Sequence, residues 1–570
     1  MTDDVISTQE LSTARPPAGP GQIAPLRQSL LLASAITALW LGCWLWFAFE
    51  TPRPLPFVHD EFSYLLAADT FAHGRLANPP HPLGKFFESP HILVRPTYVS
   101  KYPPGQGLVL GLGERLFGSP FWGIVIQGAA MIFVFTVMLC AWVSIRWAAA
   151  ISAVIALYFL PPMYWVHSYW GGCVTATGAA LVLLGIGRHR EGRWRLAGGI
   201  VALGLSILFL TRPYEGGIFA IAALGAYGMQ LWRERHSGRT AQLAPAVLLA
   251  APILAITVLW TGYYNKATTG NALQMPYMLF EHEYNATPIF WFQPMRPEPH
   301  YSHPRLAALV GAHGREAAEW RMDHHGRFPF IHHIVGPLQL VLLVPGPLAA
   351  LIVLLPLAWR DTRVRMMGFI TGACVLSLSP EVFLFSHYAA PSTAPLLVML
   401  AAAAETAGQF RRFRRPVGLI LAASILVAGS AAVVIYRVWK LTAAPKNPQV
   451  TLFAVPRQGL IDQLSKAPEK QLLIVHDPSP AWNLNNEWVY NGADIDKQHV
   501  IFAHDLGPQQ NEQLLSYYRG RKAWLLTPNA RGYSLAPYAP RPLIPEFHSA
   551  IFFPTEWPKP PFPFRPDPLR

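Results

Sequence analysis

Long apolar runs separated by short polar stretches dominate the first 440 positions, centred on 29 to 49, 121 to 142, 145 to 163, 173 to 187, 195 to 211, 214 to 232, 244 to 264, 336 to 358, 364 to 386, 389 to 407 and 416 to 439. A helix needs roughly 20 apolar residues to cross a bilayer, so the pattern predicts a polytopic α-helical membrane protein of about eleven spans. The first run is too long for a signal-peptide core. It ends in Phe47-Ala48-Phe49-Glu50-Thr51-Pro52 with no small-residue cleavage pattern, and reads as a retained span. Residues 1 to 28 are polar and predict a disordered tail. From about 445 the pattern changes. Short β-rich runs at Leu472-Leu473-Ile474-Val475, His499-Val500-Ile501-Phe502-Ala503 and Ala523-Trp524-Leu525-Leu526, with a helical stretch from Asn511 to Arg519, predict a small α/β domain. Three parts follow: the tail 1–28, a membrane domain 29–440 with long connections 50–120 and 266–335, and the region 441–570, proline-rich at its end.

Composition agrees: 52% of the 570 residues are hydrophobic and 14% charged, against roughly a quarter charged in soluble proteins. The net charge of +13 raises the question of nucleic acid, and its distribution answers it. Arg188, Arg190, Arg193 and Arg195, then Arg233, Arg235 and Arg239, then Arg360, Arg363 and Arg365, then Arg411, Arg412, Arg414 and Arg415 fill alternate loops, with only Glu191, Glu234 and Asp361 against them. Cytoplasmic loops are enriched in this way, so no nucleic-acid partner is predicted and membrane lipids are the surroundings. Segment 266–335 holds six basic and six acidic residues and segment 52–120 six and five, which places both outside. The N-terminus is then cytoplasmic and the C-terminal region extracytoplasmic, as an odd number of spans requires. Cys43, Cys140, Cys173 and Cys374 lie in or at the ends of apolar runs and make no disulfide framework.

The candidate chemistry collects in the outer connections. Val58-His59-Asp60-Glu61-Phe62-Ser63-Tyr64 follows the first span with two adjacent carboxylates and continues at helical spacing. Pro96-Thr97-Tyr98-Val99-Ser100-Lys101-Tyr102-Pro103-Pro104 brings Lys101 to the membrane surface. Trp165, Tyr169 and Trp170 suit either an interfacial belt or a groove for an isoprenoid or a sugar. Arg212 and Glu215 stand at the outer ends of two spans, where charge is costly unless it is paired or used. His387 and Tyr388 lie at the outer end of the ninth run, after Glu381. The connection 266–335 is dense in histidine, with His282, His300, His303, His313, His324, His325, His332 and His333. Their spacings match no tight zinc motif. No metal or other cofactor is assigned from them, though a divalent ion stays open. The C-terminal region has no glycine-rich phosphate loop after a strand, which argues against nucleotide binding there.

In their order these motifs resemble the GT-C superfamily of membrane glycosyltransferases, near the protein mannosyltransferase and aminoarabinose transferase branch and the RgtA/B/C/D-like group, over residues 29 to 440. The acidic motif after the first span is matched by Asp60-Glu61, and the basic residue before a proline pair by Lys101 and Pro103-Pro104 with Tyr102 inserted. Thr211-Arg212-Pro213 carries arginine where that element has lysine, and His387-Tyr388-Ala389-Ala390-Pro391 carries histidine where it has arginine. The resemblance implies a GT-C fold over that stretch, in the bacterial inner membrane; the small C-terminal α/β domain, which the charge pattern places outside, would then be periplasmic. It implies transfer of a sugar from a polyprenyl-phosphate donor to a lipid, glycan or protein acceptor. Asp60 would be the base and Glu61 its partner or alternate. Lys101, Arg212, His387 and Tyr388 would face the donor phosphate, and Trp165, Tyr169, Trp170 and Glu215 the groove. Chemistry alone agrees: a sugar phosphate carries its own leaving group, so a base for the acceptor and cations for the phosphate suffice. Two other readings stay open. A transporter or channel would line a path with its charges, and an inactive GT-C scaffold would present its C-terminal region to envelope partners.

Overall fold

The computed structural model describes residues 24–234, 243–325, 331–412, 415–443, 447, 449–477, 484–529 and 532–540. The tail up to residue 23, Arg235, Arg239, Arg414 and the proline-rich end beyond residue 540 lie outside these, as do the side chains of His324 and His325. Helix α1 (Leu26–Glu50) leads into the first connection, which holds α2 (His59–Ala72), the short strands β1 (Ile92–Leu93) and β2 (Val99–Ser100), and α3 (Pro104–Phe117). There follow α4 (Phe121–Cys140), α5 (Ile145–Tyr158), α6 (Cys173–Arg190), α7 (Trp194–Thr211), α8 (Pro213–Arg233) and α9 (Leu243–Thr269). The second connection carries α10 (Pro276–Glu283), α11 (Pro304–Val310) and α12 (Arg315–His325). The bundle is completed by α13 (Gly336–Leu343), a 3-10 segment Gly346–Leu354 continuing into α14 (Leu355–Ala358), α15 (Thr362–Leu378), α16 (Ala390–Ala407) and α17 (Val417–Thr442).

A helix stands on every predicted apolar run. Five of them, α1, α4, α7, α9 and α17, are long and apolar enough to cross a membrane. His332–Leu343 with Gly346–Ala358 would be a sixth, bent by 104°. The other predicted spans fall on α5, α6, α8, α15 and α16, which are shorter or less apolar. For α6 and α16, position in the bundle accounts for the difference. Residues 173–189 of α6 and all of α16 except Thr406 are buried, so these helices pack on protein and use small side chains for close approach. Helices α9 and α17 instead turn outward, with Leu248 76% and Val427 71% exposed. At the bend Pro345 lacks an N–H to continue the ladder, and Gly346 adopts φ 57° where a Cβ would lie 2.5–2.7 Å from the Tyr158 ring.

Charged residues separate the bundle into two ends. At one, Arg188 donates to Glu191 at 2.8 Å and to Ser29 at the start of α1, while Arg363 holds Asp361 and Glu405. The other end gathers the starts of α2 and α8 with the turn before α16.

The C-terminal region is α/β. Helix α18 (Val455–Leu464) precedes β3 (Gln471–Val475), β4 (Val500–His504), α19 (Pro508–Tyr517), β5 (Lys522–Asn529) and β6 (Gly532–Pro537). The sheet order is β4-β3-β5-β6, with β3 parallel to both neighbours and β5 antiparallel to β6. Its apolar face shares one core with the first connection: Leu472, Ile474 and Ile501 pack with Leu66, Phe86, Phe87 and Ile92. A polar link joins the two connections to the sheet. His303 and His504 stack at 3.6 Å, and their Nε2 atoms lie 3.2 and 2.8 Å from the carbonyl oxygen of Glu88.

Burial pushes the His303 pKa down to about 3 against its bond to Glu88, and burial also lowers His504 well below the usual 6.5. Protonation therefore favours the unfolded chain, and stability present at neutral pH is lost as the pH falls below 6.5. For His303 alone the loss between pH 7 and pH 5 is expected to be roughly 2 kcal/mol. Thermal denaturation in detergent should show a melting temperature falling over that interval, with a shallower slope in His303→Gln. Equal slopes would exclude this histidine as the source.

Candidate active site

The N-terminus of α2 sets the position of both acidic residues. Val58 is extended as the N-cap, and His59, Asp60 and Glu61 form the first turn, where the free backbone N–H groups and the helix dipole favour negative charge. Neighbouring side chains then divide the two carboxylates into different roles.

Asp60 faces three groups. The Tyr102 hydroxyl donates to its Oδ1, His59 Nδ1 lies 3.1 Å from Oδ2, and His91 Nε2 lies 3.8 Å from Oδ1. The two imidazoles sit with ring centres 4.5 Å apart. His91 adopts φ 64°, and its carbonyl is fixed by the Ser63 hydroxyl at 2.7 Å and the Lys101 N–H at 2.9 Å. Burial pushes the Asp60 pKa up and His91, His59 and the Tyr102 hydroxyl pull it down, while burial holds the two imidazoles below their own usual 6.5. Glu61 points elsewhere. Its Oε2 accepts the Phe57 N–H and its Oε1 the Tyr169 N–H, both at 3.0 Å, and burial pushes its pKa up to about 7. It fastens the approach to α2 onto the 164–170 turn, a structural position rather than that of a second base.

Two cations stand nearby, each already engaged. Lys101 Nζ is 3.1 Å from Glu281 Oε1, buried on both sides, and lies over the rings of Tyr277 and Phe280 at 4.9 and 4.7 Å. Arg212 sits where α7 gives way to α8, because Pro213 cannot continue the α7 ladder and opens the next helix instead. Its Nη1 is 3.0 Å from Glu215 Oε1, and its guanidinium lies 3.9 Å above the Tyr388 ring. Helix α3 comes close here through Gly105, where a Cβ would lie 2.8 Å from the Leu210 carbonyl oxygen. Tyr64 stacks on Tyr102 at 4.4 Å, which continues the aromatic wall from Asp60 toward Tyr388. His387 is turned toward Tyr164, whose hydroxyl is 3.2 Å from Nδ1, and toward Trp170 at 5.3 Å. Burial and the charge of Arg212 hold its pKa well below 6.5, which disfavours the charged form.

Among the predicted groove residues, Trp165 is a correction. Fully buried, it packs on Phe159 at 5.4 Å and under Gly172, whose φ of 130° and absent Cβ leave room for the indole; it is core. Tyr169 donates to the Pro54 carbonyl at 3.2 Å and braces the same loop as Glu61, whereas Trp170 borders His387. Unassigned from sequence were Tyr102, His59, His91, Glu281, Tyr64 and Tyr277. Only Tyr102, as an insertion between Lys101 and Pro103, carried a local signal. Of the histidine-rich connection, His303 is structural.

Among the described residues His59, Asp60 and His91 are the group able to share one cation, one ligand atom from each lying within 4.8 Å of the others. Nε2 of His59 and Nδ1 of His91 are buried and make no hydrogen bond among the described residues. Two imidazoles and a carboxylate suit zinc or a similar divalent ion, so the residues fit one.

No family model and no curated protein matches the chain. Solved structures do align. ArnT from Cupriavidus metallidurans bound to undecaprenyl phosphate aligns at 15% identity over 88% of this chain and 93% of its own, with a TM-score of 0.42. An oligosaccharyltransferase of Archaeoglobus fulgidus in complex with Zn and sulfate aligns at 12% identity over 88% of this chain and 67% of its own, with a TM-score of 0.45. The oligosaccharyltransferase AglB from Archaeoglobus fulgidus in complex with an inhibitory peptide and a dolichol phosphate aligns at 11% identity over 88% of this chain and 69% of its own, with a TM-score of 0.40. With TM-scores below 0.5, the reading of the site is left to its residues.

The separation of Asp60 from Glu61 has a measurable consequence. Glu61→Gln leaves one amide group facing a backbone N–H, and loss of such a buried bond costs about 1–3 kcal/mol. Thermal denaturation should show that loss, while turnover per folded molecule stays within about threefold of wild type, since no transition-state contact is removed. A catalytic Glu61 would give the reverse: unchanged stability with turnover largely abolished.

Proposed function

We propose that the chain is an inverting glycosyltransferase that moves a sugar from a polyprenyl-phosphate donor to a lipid, glycan or protein acceptor at the outer face of the bacterial inner membrane. In this reading about eleven helices span the bilayer, the N-terminus is cytoplasmic and the C-terminal region periplasmic. The observation that carries it is one carboxylate, Asp60, held by the Tyr102 hydroxyl and flanked by His59 on the same end of the bundle as the buried cations Lys101 and Arg212. The resemblance of the motifs around these residues to GT-C enzymes supplies the donor class.

The acceptor hydroxyl or amine attacks the anomeric carbon as the bond from that carbon to the phosphate oxygen breaks. The electron pair leaves with the polyprenyl phosphate, and Asp60 takes the acceptor proton. Arg212 keeps donors beyond the one on Glu215 and offers a planar fork to the departing phosphate, while Lys101 adds a point charge. Tyr388, held flat under Arg212, orients the guanidinium. A divalent ion on His59, Asp60 and His91 would add positive charge beside the reacting oxygens. One displacement from one face inverts the sugar. A transporter is less well supported, because these charges gather at one end of the bundle rather than along a path through it.

Purified protein incubated with a panel of undecaprenyl-phosphate sugars should release undecaprenyl phosphate, read by mass spectrometry. Asp60→Asn, shown to be folded, should lower that rate by about 10² or more, the usual contribution of a general base; a wild-type rate would remove Asp60 from the role. In the same assay Arg212→Lys keeps the charge and loses the fork, so kcat/KM for the donor should fall about tenfold. An unchanged kcat/KM would mean that Arg212 serves only Glu215.

A further inference from the structure

Three successive turns of α2 rest on the C-terminal region. Phe62, 1% exposed, meets the rings of Tyr490 at 4.8 Å and Phe453 at 6.2 Å. Leu66 lies in the core shared with Leu472, Ile474 and Ile501. Asp69 Oδ2 accepts the Ala493 N–H at 2.6 Å. These positions, spaced four and three apart, are one face of the helix, and Asp60 projects from its free end. The strip 488–493 that receives this face is itself fixed. Tyr98 from the first connection donates to the Asn491 carbonyl at 2.9 Å, and the Asn491 side chain pairs with the Phe502 N–H and carbonyl of β4 at 3.0 and 2.8 Å.

At the centre of this contact stands Arg457 from α18, 7% exposed. Its guanidinium lies 5.0 Å from the Phe62 ring and 4.6 Å from that of Phe502, and it donates to the carbonyls of Trp488 at 3.4 Å and Tyr490 at 3.0 Å. It forms no ion pair among the described residues, and burial pushes its pKa down to about 10 against the opposing pull of Tyr490 and the buried Glu487. Taking a guanidinium out of water is costly unless its donors are met, and here backbone carbonyls meet them. What the guanidinium does that a hydrocarbon cannot is tie two carbonyls of the strip to the aromatic face of the helix that carries Asp60.

We propose that Arg457 and the strip 488–493 are positioning elements for Asp60, so that the C-terminal region belongs to the reacting unit. The link to catalysis rests on the glycosyltransferase reading above; the link to the placement of α2 does not. A displacement of about 1 Å at a reacting group is enough to cost up to about 10²-fold in rate, and a guanidinium held over Phe62 restrains α2 two residues from Asp60.

Arg457→Met fills the space without the charge. The change leaves the Trp488 and Tyr490 carbonyls without their donor, so the melting temperature should fall on either reading; packing alone predicts no other change. Positioning predicts that fall together with about tenfold faster hydrogen exchange over residues 57–72, read by mass spectrometry in detergent. With a donor that wild type turns over, kcat should fall about tenfold at unchanged KM, as expected for an interaction felt only in the transition state. Tyr98→Phe, which removes one hydroxyl and opens no cavity, should move exchange in the same direction by about threefold and carries the test if the arginine variant does not fold. Unchanged exchange over 57–72, or a rise spread evenly over the chain, overturns the proposal. Absence of turnover in wild type with faster exchange in the variants overturns the glycosyltransferase reading and leaves the positioning intact.

Discussion

Charge removed from water has to be met inside the protein, and at one end of this apolar bundle that constraint decides where the polar groups go. Lys101 there is met by Glu281 from a distant part of the chain, and Arg212 by its helix neighbour Glu215 and the distant Tyr388 ring. Asp60 is met by a hydroxyl and two imidazoles rather than by a lysine or arginine. The difference matters for chemistry. A carboxylate locked to a guanidinium would leave that cation unpaired on taking a proton, whereas one held by a hydroxyl can exchange that donor for a substrate hydroxyl without leaving a charge unpaired.

The helices were legible because a bilayer demands runs of a stated length, and each run coincides with a helix. What the hydropathy pattern does not distinguish is a helix facing lipid from one facing protein. Helix α16 shows why: its run of alanines reads as moderately apolar, and only its central place, with almost every residue buried, accounts for the choice. Likewise Pro345-Gly346 in the eighth run was visible as letters, but the bend of 104° depends on where Tyr158 stands. The α/β character of the end was legible from its strand-length runs. Its shared core with the first connection was not, since Leu66 and Ile501 are joined only by the fold.

The site divides along the same line. Asp60 is legible as an acidic residue after a span, but nothing local separates it from Glu61. The separation comes from the Tyr169 N–H, more than a hundred positions away, and from the Phe57 N–H at the start of the helix. Trp165 and Trp170 look equivalent in a run of aromatics, and Gly172 decides between them by leaving a space that the first fills. His59 and His91 are in different segments and become neighbours through the Ser63 and Ser100 hydroxyls that hold β1 and β2 against α2.

These arrangements share one geometric cause. Helix α2 is too short to span a membrane and has polar and apolar groups distributed around it, so it lies between the bundle and the sheet and is satisfied by both. Its first turn takes the bundle's hydrogen bonds through Glu61, its middle takes the sheet's apolar face through Leu66, and its end takes a backbone N–H through Asp69. A helix held on so many sides has little freedom to tilt. Its N-terminus brings the backbone donors of a helix's first turn and the Asp60 carboxylate together. A reacting carboxylate placed there is fixed by elements that never touch a substrate, and the composition of those elements is then constrained by the chemistry they hold in place.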